Sequence, residues 1–322
     1  MPREVFISLT LIIFAVLLTS CRKDNSLVQD EDELNTNQCV PLPPEYHEVI
    51  GWMTFQSELP RQLRPCFNPT NSNEIVFQED SESGTSSVYK FNLINKEKTF
   101  LAEGPVVSQP SWGVNDWILL VFYDFNVWRI RPDGTDLERI TEGGGFYSPK
   151  WNADGTRFVT NLPFQPDFSL VHDVNGEITD TLMFDVRHSY TLEKDPYIVV
   201  HHQSLYRVYD RSVNDIVSEY QFQSFWGGGG SGSVFWKDDY SLVFSNPDGI
   251  HSADYGYQQL CRLVDACNSV SYLHGDINSE KTQMIWSHSQ REYIGSATVK
   301  IKTKLQLMDV NGNVLMDDVL ED

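Results

Sequence analysis

Histidines are concentrated in the second half of the chain and are the residues best suited to chemistry. His188, His202 and His274 lie in predicted β-strands, and a neutral imidazole is a common ligand of divalent metals. Because neighbouring strand residues point to opposite faces, at most one of His201 and His202 can face a shared site. One hypothesis is therefore a divalent metal held by His188, His202 and His274. The alternative is that they are ordinary strand residues and that the protein has no cofactor.

A glycine-rich run, WGGGGSG at residues 226–232, is the second candidate for function. It lacks the lysine and the following helix of a phosphate-binding loop. It is either a mobile connection between strands or a rim where glycine lets a ligand approach the backbone closely. In the second case Trp226, Gly228 and Gly230 are candidate binding residues. Ser231 does not stand in the G-x-S-x-G spacing of a hydrolase nucleophile, and no catalytic residue is predicted.

The N-terminus carries an export signal that ends at a cysteine. Residues 5–18 form an apolar stretch that is shorter than the roughly twenty residues of a membrane-spanning helix. The sequence Leu18-Thr19-Ser20-Cys21 resembles the lipobox of bacterial lipoproteins, which implies removal of residues 1–20 and lipidation of Cys21. Several acyl chains on one residue give a stable membrane anchor. The alternative is an ordinary secretory peptide with a chance cysteine.

Residues 21–44 are polar and acidic, lack periodicity and are predicted to form a flexible tether. The residues directly after Cys21 loosely resemble the export tags of Bacteroidetes surface lipoproteins. This places the protein in the bacterial envelope, at the outer membrane, with the periplasmic or surface face undecided. The net charge of −21 excludes nucleic acid as a partner and limits membrane contact to the lipid anchor. The oligomeric state stays unknown.

Four further cysteines follow, at positions 39, 66, 261 and 267. An even number in an exported protein favours disulfides. Cys261 and Cys267 are close enough to close a small loop, and a Cys39–Cys66 bridge would fasten the N-terminal arm to the first sheet. The alternative is four buried free thiols.

Residues 45–322 contain a repeat of short strands. The pattern P-x-W occurs at Pro110–Trp112 and again at Pro149–Trp151, about 39 residues later. Each copy is followed by alternating runs separated by Asp-Gly or Asn-Gly, which is typical of antiparallel strands joined by tight hairpins. Four short strands per repeat predict the blades of a β-propeller. A strand in residues 47–55 is expected to complete the last sheet.

The stretch SPKWNADGTRF at residues 148–158, with Arg139-Ile140-Thr141 before it, resembles the repeat of TolB-like β-propellers. The resemblance implies an all-β, six-bladed propeller with four antiparallel strands per blade, related to WD-repeat folds. It also implies a rigid, non-catalytic platform that binds an envelope protein or glycan. Oligogalacturonate lyases share the fold and hold a metal near the central channel. The alternative is therefore a metal-assisted, lyase-like enzyme that degrades polysaccharide with channel histidines.

Overall fold

The structure, a computed structural model, describes residues 54–321 except 163–164, 184–187, 195–196, 203–204, 211, 214, 222–232, 239–240, 247–248, 255–259, 266–269 and 295–297. All regular secondary structure within these ranges is β-strand. No helix there is long and apolar enough to cross a membrane. The all-β class expected from the alternating sequence pattern is confirmed.

The first described strand, β1 (Thr54–Ser57), belongs to the last sheet of the chain. After it come five sheets of four antiparallel strands, each built from consecutive strands. The first two are β2 (Arg61–Asn68), β3 (Asn71–Asp80), β4 (Ser86–Asn92) and β5 (Lys98–Glu103), then β6 (Ser111–Trp112), β7 (Ile118–Val121), β8 (Val127–Ile130) and β9 (Glu138–Arg139). The next two are β10 (Tyr147–Trp151), β11 (Arg157–Leu162), β12 (Gln165–Asp173) and β13 (Ile178–Met183), then β14 (His188–Lys194), β15 (Tyr197–His202), β16 (Leu205–Asp210) and β17 (Asp215–Gln221). The fifth is β18 (Val234–Trp236), β19 (Ser241–Asn246), β20 (Gly249–Asp254) and β21 (Leu260–Asp265).

The last sheet departs from this form. It contains β22 (Val270–Ile277), β23 (Gln283–Ile294), β24 (Thr298–Asp309) and β25 (Val314–Met316), and β1 is its fifth strand. β24 is long enough to pair in parallel with β1 near its start and antiparallel with β25 near its end. The prediction of four antiparallel strands in every blade is therefore correct for five sheets and wrong here. Thr54 and Phe55, the described part of the predicted N-terminal strand, lie in β1.

The first strands of the sheets form a closed ring. β2, β6, β10, β14, β18 and β22 each contact the next one, and β22 contacts β2. Sheets arranged in this way around an axis define a β-propeller. We call these six the inner strands and the region that they enclose the central channel.

Hydrophobic side chains pack between neighbouring sheets rather than in one central core. In β7, Ile118 and Leu120 pack towards the first sheet, whereas Leu119 and Val121 pack towards the third. Because both faces of the strand are buried, the sequence there is a continuous apolar run. Trp151 of the P-x-W motif packs in the same cluster as Leu119 and Val121, as expected for an aromatic residue between sheets.

The Asp-Gly and Asn-Gly turns have the predicted geometry. Gly134, Gly155, Gly176 and Gly312 all have positive φ angles, which glycine adopts without strain. Asp173 Oδ1 accepts the backbone N–H groups of Asn175 and Glu177. The Asp-x-Asn-Gly sequence is therefore a hairpin turn whose carboxylate is engaged by its own backbone.

Candidate functional site

One position of the inner strands links neighbouring sheets at three of the junctions in the described part of the chain. In the first two sheets this is the residue between the proline and the aromatic residue of the repeat, and in the last sheet it is Asp276, between Gly275 and Ile277. Its side chain accepts the backbone N–H of the aromatic position in the following sheet. Asp276 Oδ2 accepts Phe67 N–H at 2.8 Å, Cys66 Sγ accepts Trp112 N–H at 3.5 Å, and Ser111 Oγ accepts Trp151 N–H at 3.0 Å. We call it the acceptor position. The first of these bonds joins the last sheet to the first and so closes the ring.

Lys150 occupies the acceptor position of the third sheet and breaks this pattern. An ammonium group donates hydrogen bonds but cannot accept one. The Lys150 ammonium forms neither an ion pair nor a hydrogen bond with any described residue. The third sheet has therefore lost this link and gained a cation.

The inner strands are irregular directly before the acceptor position. The pairing register shifts at Leu63/Cys66 in β2, Tyr147/Lys150 in β10, His188/Tyr190 in β14 and Leu273/Gly275 in β22. Within these shifts Arg64, Ser148 and His274 have positive φ angles of 57°, 47° and 20°. Bulges of this kind redirect side chains and are frequent next to functional sites.

Gln109 connects strands that belong to different sheets. Its Nε2 donates to Pro65 O at 2.5 Å and to Gly275 O at 3.0 Å, and its Oε1 accepts from Ser233 Oγ at 3.4 Å. Ser233 Oγ in turn accepts Gly275 N–H at 2.8 Å. These residues belong to the first, fifth and sixth sheets or directly precede them, whereas Gln109 precedes the second. One amide side chain thus links the inner strands of the first and last sheets to the residue that precedes the fifth.

Arg64 is the most constrained cation of this region. Its backbone N–H donates to Ser287 Oγ and its Nη1 donates to Gln78 Oε1, both at 3.0 Å. Its Nε is buried and makes no hydrogen bond. Burial lowers the pKa of Arg64, while Tyr147 and Asp80 act in the opposite direction.

His274 lies in the same electrostatic environment. Burial, followed by the charges of Arg64 and Lys150, lowers the pKa of His274 to about 3. The imidazole is therefore neutral at physiological pH. The charges of Arg64 in β2 and Lys150 in β10 thus act on the imidazole of His274 in β22.

Aromatic residues of the second and third sheets lie at the end of the channel where the inner strands begin. The β7–β8 turn carries Tyr123, which is 70% exposed, and Phe125, whose ring stacks on Tyr147 with centroids 6.3 Å apart. Tyr147 is the first residue of β10, and Tyr123 and Tyr147 both affect the pKa of Arg64. We call these three residues the aromatic rim. An aromatic rim above a polar channel suits recognition of a ligand that has apolar faces and polar groups.

Two other histidines, His172 and His288, pack against aromatic rings within their own sheets. His172 stacks on Phe158 at 4.7 Å, and its ring nitrogens bond to Thr160 Oγ1 and Gly176 O. His288 stacks on Tyr272 at 5.1 Å, and burial is the first cause that lowers the pKa of His288, to about 4.

The predicted metal ligands are spread over two sheets. His188 begins β14 and is the register partner of His201 in β15, whereas His202 is the register partner of Leu205 in β16. His274 lies in β22 of the last sheet. Within the described ranges no three His, Cys, Asp or Glu side chains come together as a metal site. The metal hypothesis and the lyase-like alternative stay predictions.

Most of the remaining predicted site residues are not among the residues that the structure describes. Cys21, Cys39, Cys267, Trp226, Gly228 and Gly230 lie outside the described residues. Cys66 is a buried thiol whose pKa is raised by burial, and its pairing with Cys39 stays a prediction. Cys261 is half-buried in β21, and its pairing with Cys267 stays a prediction.

The sequence interpretation missed Arg64, Gln109 and Lys150. The signal for all three was present: each lies directly before or after the proline of a repeat start. Lys150 in particular stands where the neighbouring repeats have a small or acidic acceptor.

The fold resembles solved β-propellers. TolB from Acinetobacter baumannii matches 62% of this chain with a TM-score of 0.51 at 15% identity, and the match spans only 53% of that protein. U3-55K matches 78% of this chain and 82% of its own, with a TM-score of 0.53 at 9% identity. The RRP9 WD40 repeats match 71% of this chain and 88% of their own, with a TM-score of 0.54 at 8% identity. No protein-family model matches the sequence, and the comparison with curated proteins finds no significant match. At these identities the likeness establishes the class, an all-β propeller that includes TolB-like and WD40-like structures among its neighbours.

Proposed function

We propose that this chain is a lipid-anchored envelope β-propeller that acts as a non-catalytic binding platform. In this proposal residues 1–20 are removed, Cys21 is lipidated, residues 21–44 form the tether, and residues 45–322 form one propeller. The six sheets around the channel are its six blades, and the N-terminal strand completes the last one. The TolB-like fold and the lipobox resemblance both favour a bacterial envelope location.

The observation that carries the binding role is the aromatic rim at one end of the channel. Tyr123 is exposed although it is large and aromatic, and it lies beside the stacked Phe125 and Tyr147. Aromatic residues with one exposed face are enriched in interfaces. An envelope protein or glycan that docks there would cover the rim and close the channel.

The anchor and the docking face can be tested separately. Cys21→Ser should move the protein from the membrane fraction to the soluble fraction and abolish labelling by radioactive fatty acid. A wild-type protein that incorporates no fatty acid would contradict the anchor without touching the binding role.

For the docking face, a photo-crosslinking amino acid replaces Tyr123 in the full chain, expressed in its native cells. Ile94 is the matched control because it is 72% exposed. It lies in the β4–β5 turn of the first sheet, whereas Tyr123 lies in the β7–β8 turn of the second sheet. A discrete adduct at position 123, absent at position 94 and lost with Tyr147→Ser, supports the proposal. Equal adducts at both positions, or none at position 123, would refute it.

A further inference from the structure

Two cations of this region, Arg64 and Lys150, form no ion pair with a carboxylate of the described residues. Lys150 has no carboxylate partner within the described residues, and the Arg64 side chain donates to the neutral amide of Gln78. Lys150 and Arg64 are both half-buried, and the Arg64 Nε is fully buried, so leaving these charges without an anionic partner has a cost in free energy. In a chain with a net charge of −21, two such cations facing one region are a departure from the general charge balance.

The nearest carboxylates are engaged in holding the fold. Asp276 accepts Phe67 N–H across the ring closure. Asp80 accepts hydrogen bonds from Arg61 at 2.5 Å and from Gln78 and Ser86 at 2.6 Å. Neither carboxylate pairs with Lys150. An external anion is therefore the group that is missing from this charge balance.

The backbone brings the relevant residues together. Gln109 Nε2 binds Pro65 O and Gly275 O at the same time, and Arg64 and His274 directly precede these two residues. Lys150 lies beside Trp151, whose N–H is bound by Ser111 two residues after Gln109. The three side chains thus begin from backbone segments that are linked through the same short stretch of the second sheet.

We propose that the channel binds an oxyanion, a carboxylate or phosphate group, between the Arg64 guanidinium and the Lys150 ammonium, with the His274 imidazole as a neutral hydrogen-bonding partner. The proposal rests on the binding role of the channel end proposed above and names the ligand chemistry that the role requires. An oxyanion would supply the acceptor that the buried Arg64 Nε lacks. Charged hydrogen bonds to arginine are strongest where water is excluded.

The test is an isothermal titration of residues 22–322 with succinate and, separately, with inorganic phosphate, at constant ionic strength. Lys150→Gln should weaken binding at least tenfold, and Lys150→Arg, which keeps the charge, should retain it. Lys302→Gln is the matched control, since Lys302 is an exposed lysine on β24 and its loss should leave binding unchanged.

The preferred anion identifies the source of the group: tighter succinate binding indicates a carboxylate ligand, and tighter phosphate binding indicates a phosphorylated one. Both results support the site. Absence of binding to the wild type, or equal binding by Lys150→Gln and wild type, would overturn it. If Lys150→Gln does not fold, Arg64→Gln takes its place with the same expected loss. The crosslinking result at Tyr123 is independent of these titrations, so failure of the anion site is distinguishable from failure of the docking face.

Discussion

The junction between the second and third sheets and the junction after the third sheet use the same repeat position differently. At the first, Ser111 accepts Trp151 N–H and ties two sheets together. At the second, Lys150 stands in the acceptor position and makes no such bond. The third sheet still contacts the fourth through β10 and β11 against β14. The same position of a structural repeat therefore carries an inter-sheet hydrogen bond in the second sheet and a cation in the third.

The largest expected effect comes from adding a side-chain atom at Gly176, where the third sheet contacts the second. A Cβ at Gly176 would lie 1.8 Å from Ile140 O of the second sheet, and the φ angle there is +91°. We expect Gly176→Ala to lower the free energy of unfolding by about 3 to 5 kcal/mol, through both the clash and the left-handed backbone.

Gly84→Ala is the control for that change, because Gly84 has a φ angle of +80° but open space around it. It should cost only about 1 kcal/mol. Equal losses in urea unfolding would mean that the junction yields to the extra atom.

The next largest effect is the pH dependence of stability that the buried His288 causes. His288 is 1% exposed and its pKa is about 4 in the folded protein, against 6.5 as its usual value. The unfolded chain therefore binds more protons between these values, and stability falls as the pH drops from about 6.5 to about 4. His288→Phe should remove about 3 kcal/mol of this loss at pH 4. Thermal unfolding of both proteins at pH 7 and pH 4 measures it, and an unchanged pH dependence would contradict the assignment.

Ring closure comes third in size. Asp276→Ala removes a charged acceptor and leaves Phe67 N–H without its partner, which we expect to cost about 2 to 3 kcal/mol. Asp276→Asn keeps an acceptor oxygen and should cost less than about half of that. Denaturant unfolding of the two variants decides, and a similar loss in both would show that the charge rather than the acceptor matters.

The sequence predicted the parts of the fold that repeat. Trp112 and Trp151 indicate the repeat length because both pack between neighbouring sheets at the same position of the repeat. The Asp-Gly and Asn-Gly pairs indicate hairpins because positive φ angles favour these residues. The five-stranded last sheet was not predicted, since the length of β24 rather than any local pattern allows two short strands on one edge.

The candidate site was largely missed for a related reason. Arg64, Gln109 and Lys150 resemble ordinary polar members of the repeat, and only the ring brings them together. Histidines are candidates for chemistry by residue type, yet His172 and His288 pack against aromatic rings inside the sheets. His202 could not be separated from His201 without the register that pairs His201 with His188.

The central claim is that the acceptor position serves stability in the second sheet and binding in the third. Its most direct test measures both properties in Ser111→Ala and Lys150→Gln. We predict that Ser111→Ala loses about 1 kcal/mol of unfolding free energy and keeps its anion affinity. Lys150→Gln should keep its stability within about 0.5 kcal/mol and lose at least tenfold in anion affinity. A Lys150→Gln protein that is destabilised while its anion binding is unchanged would contradict the account.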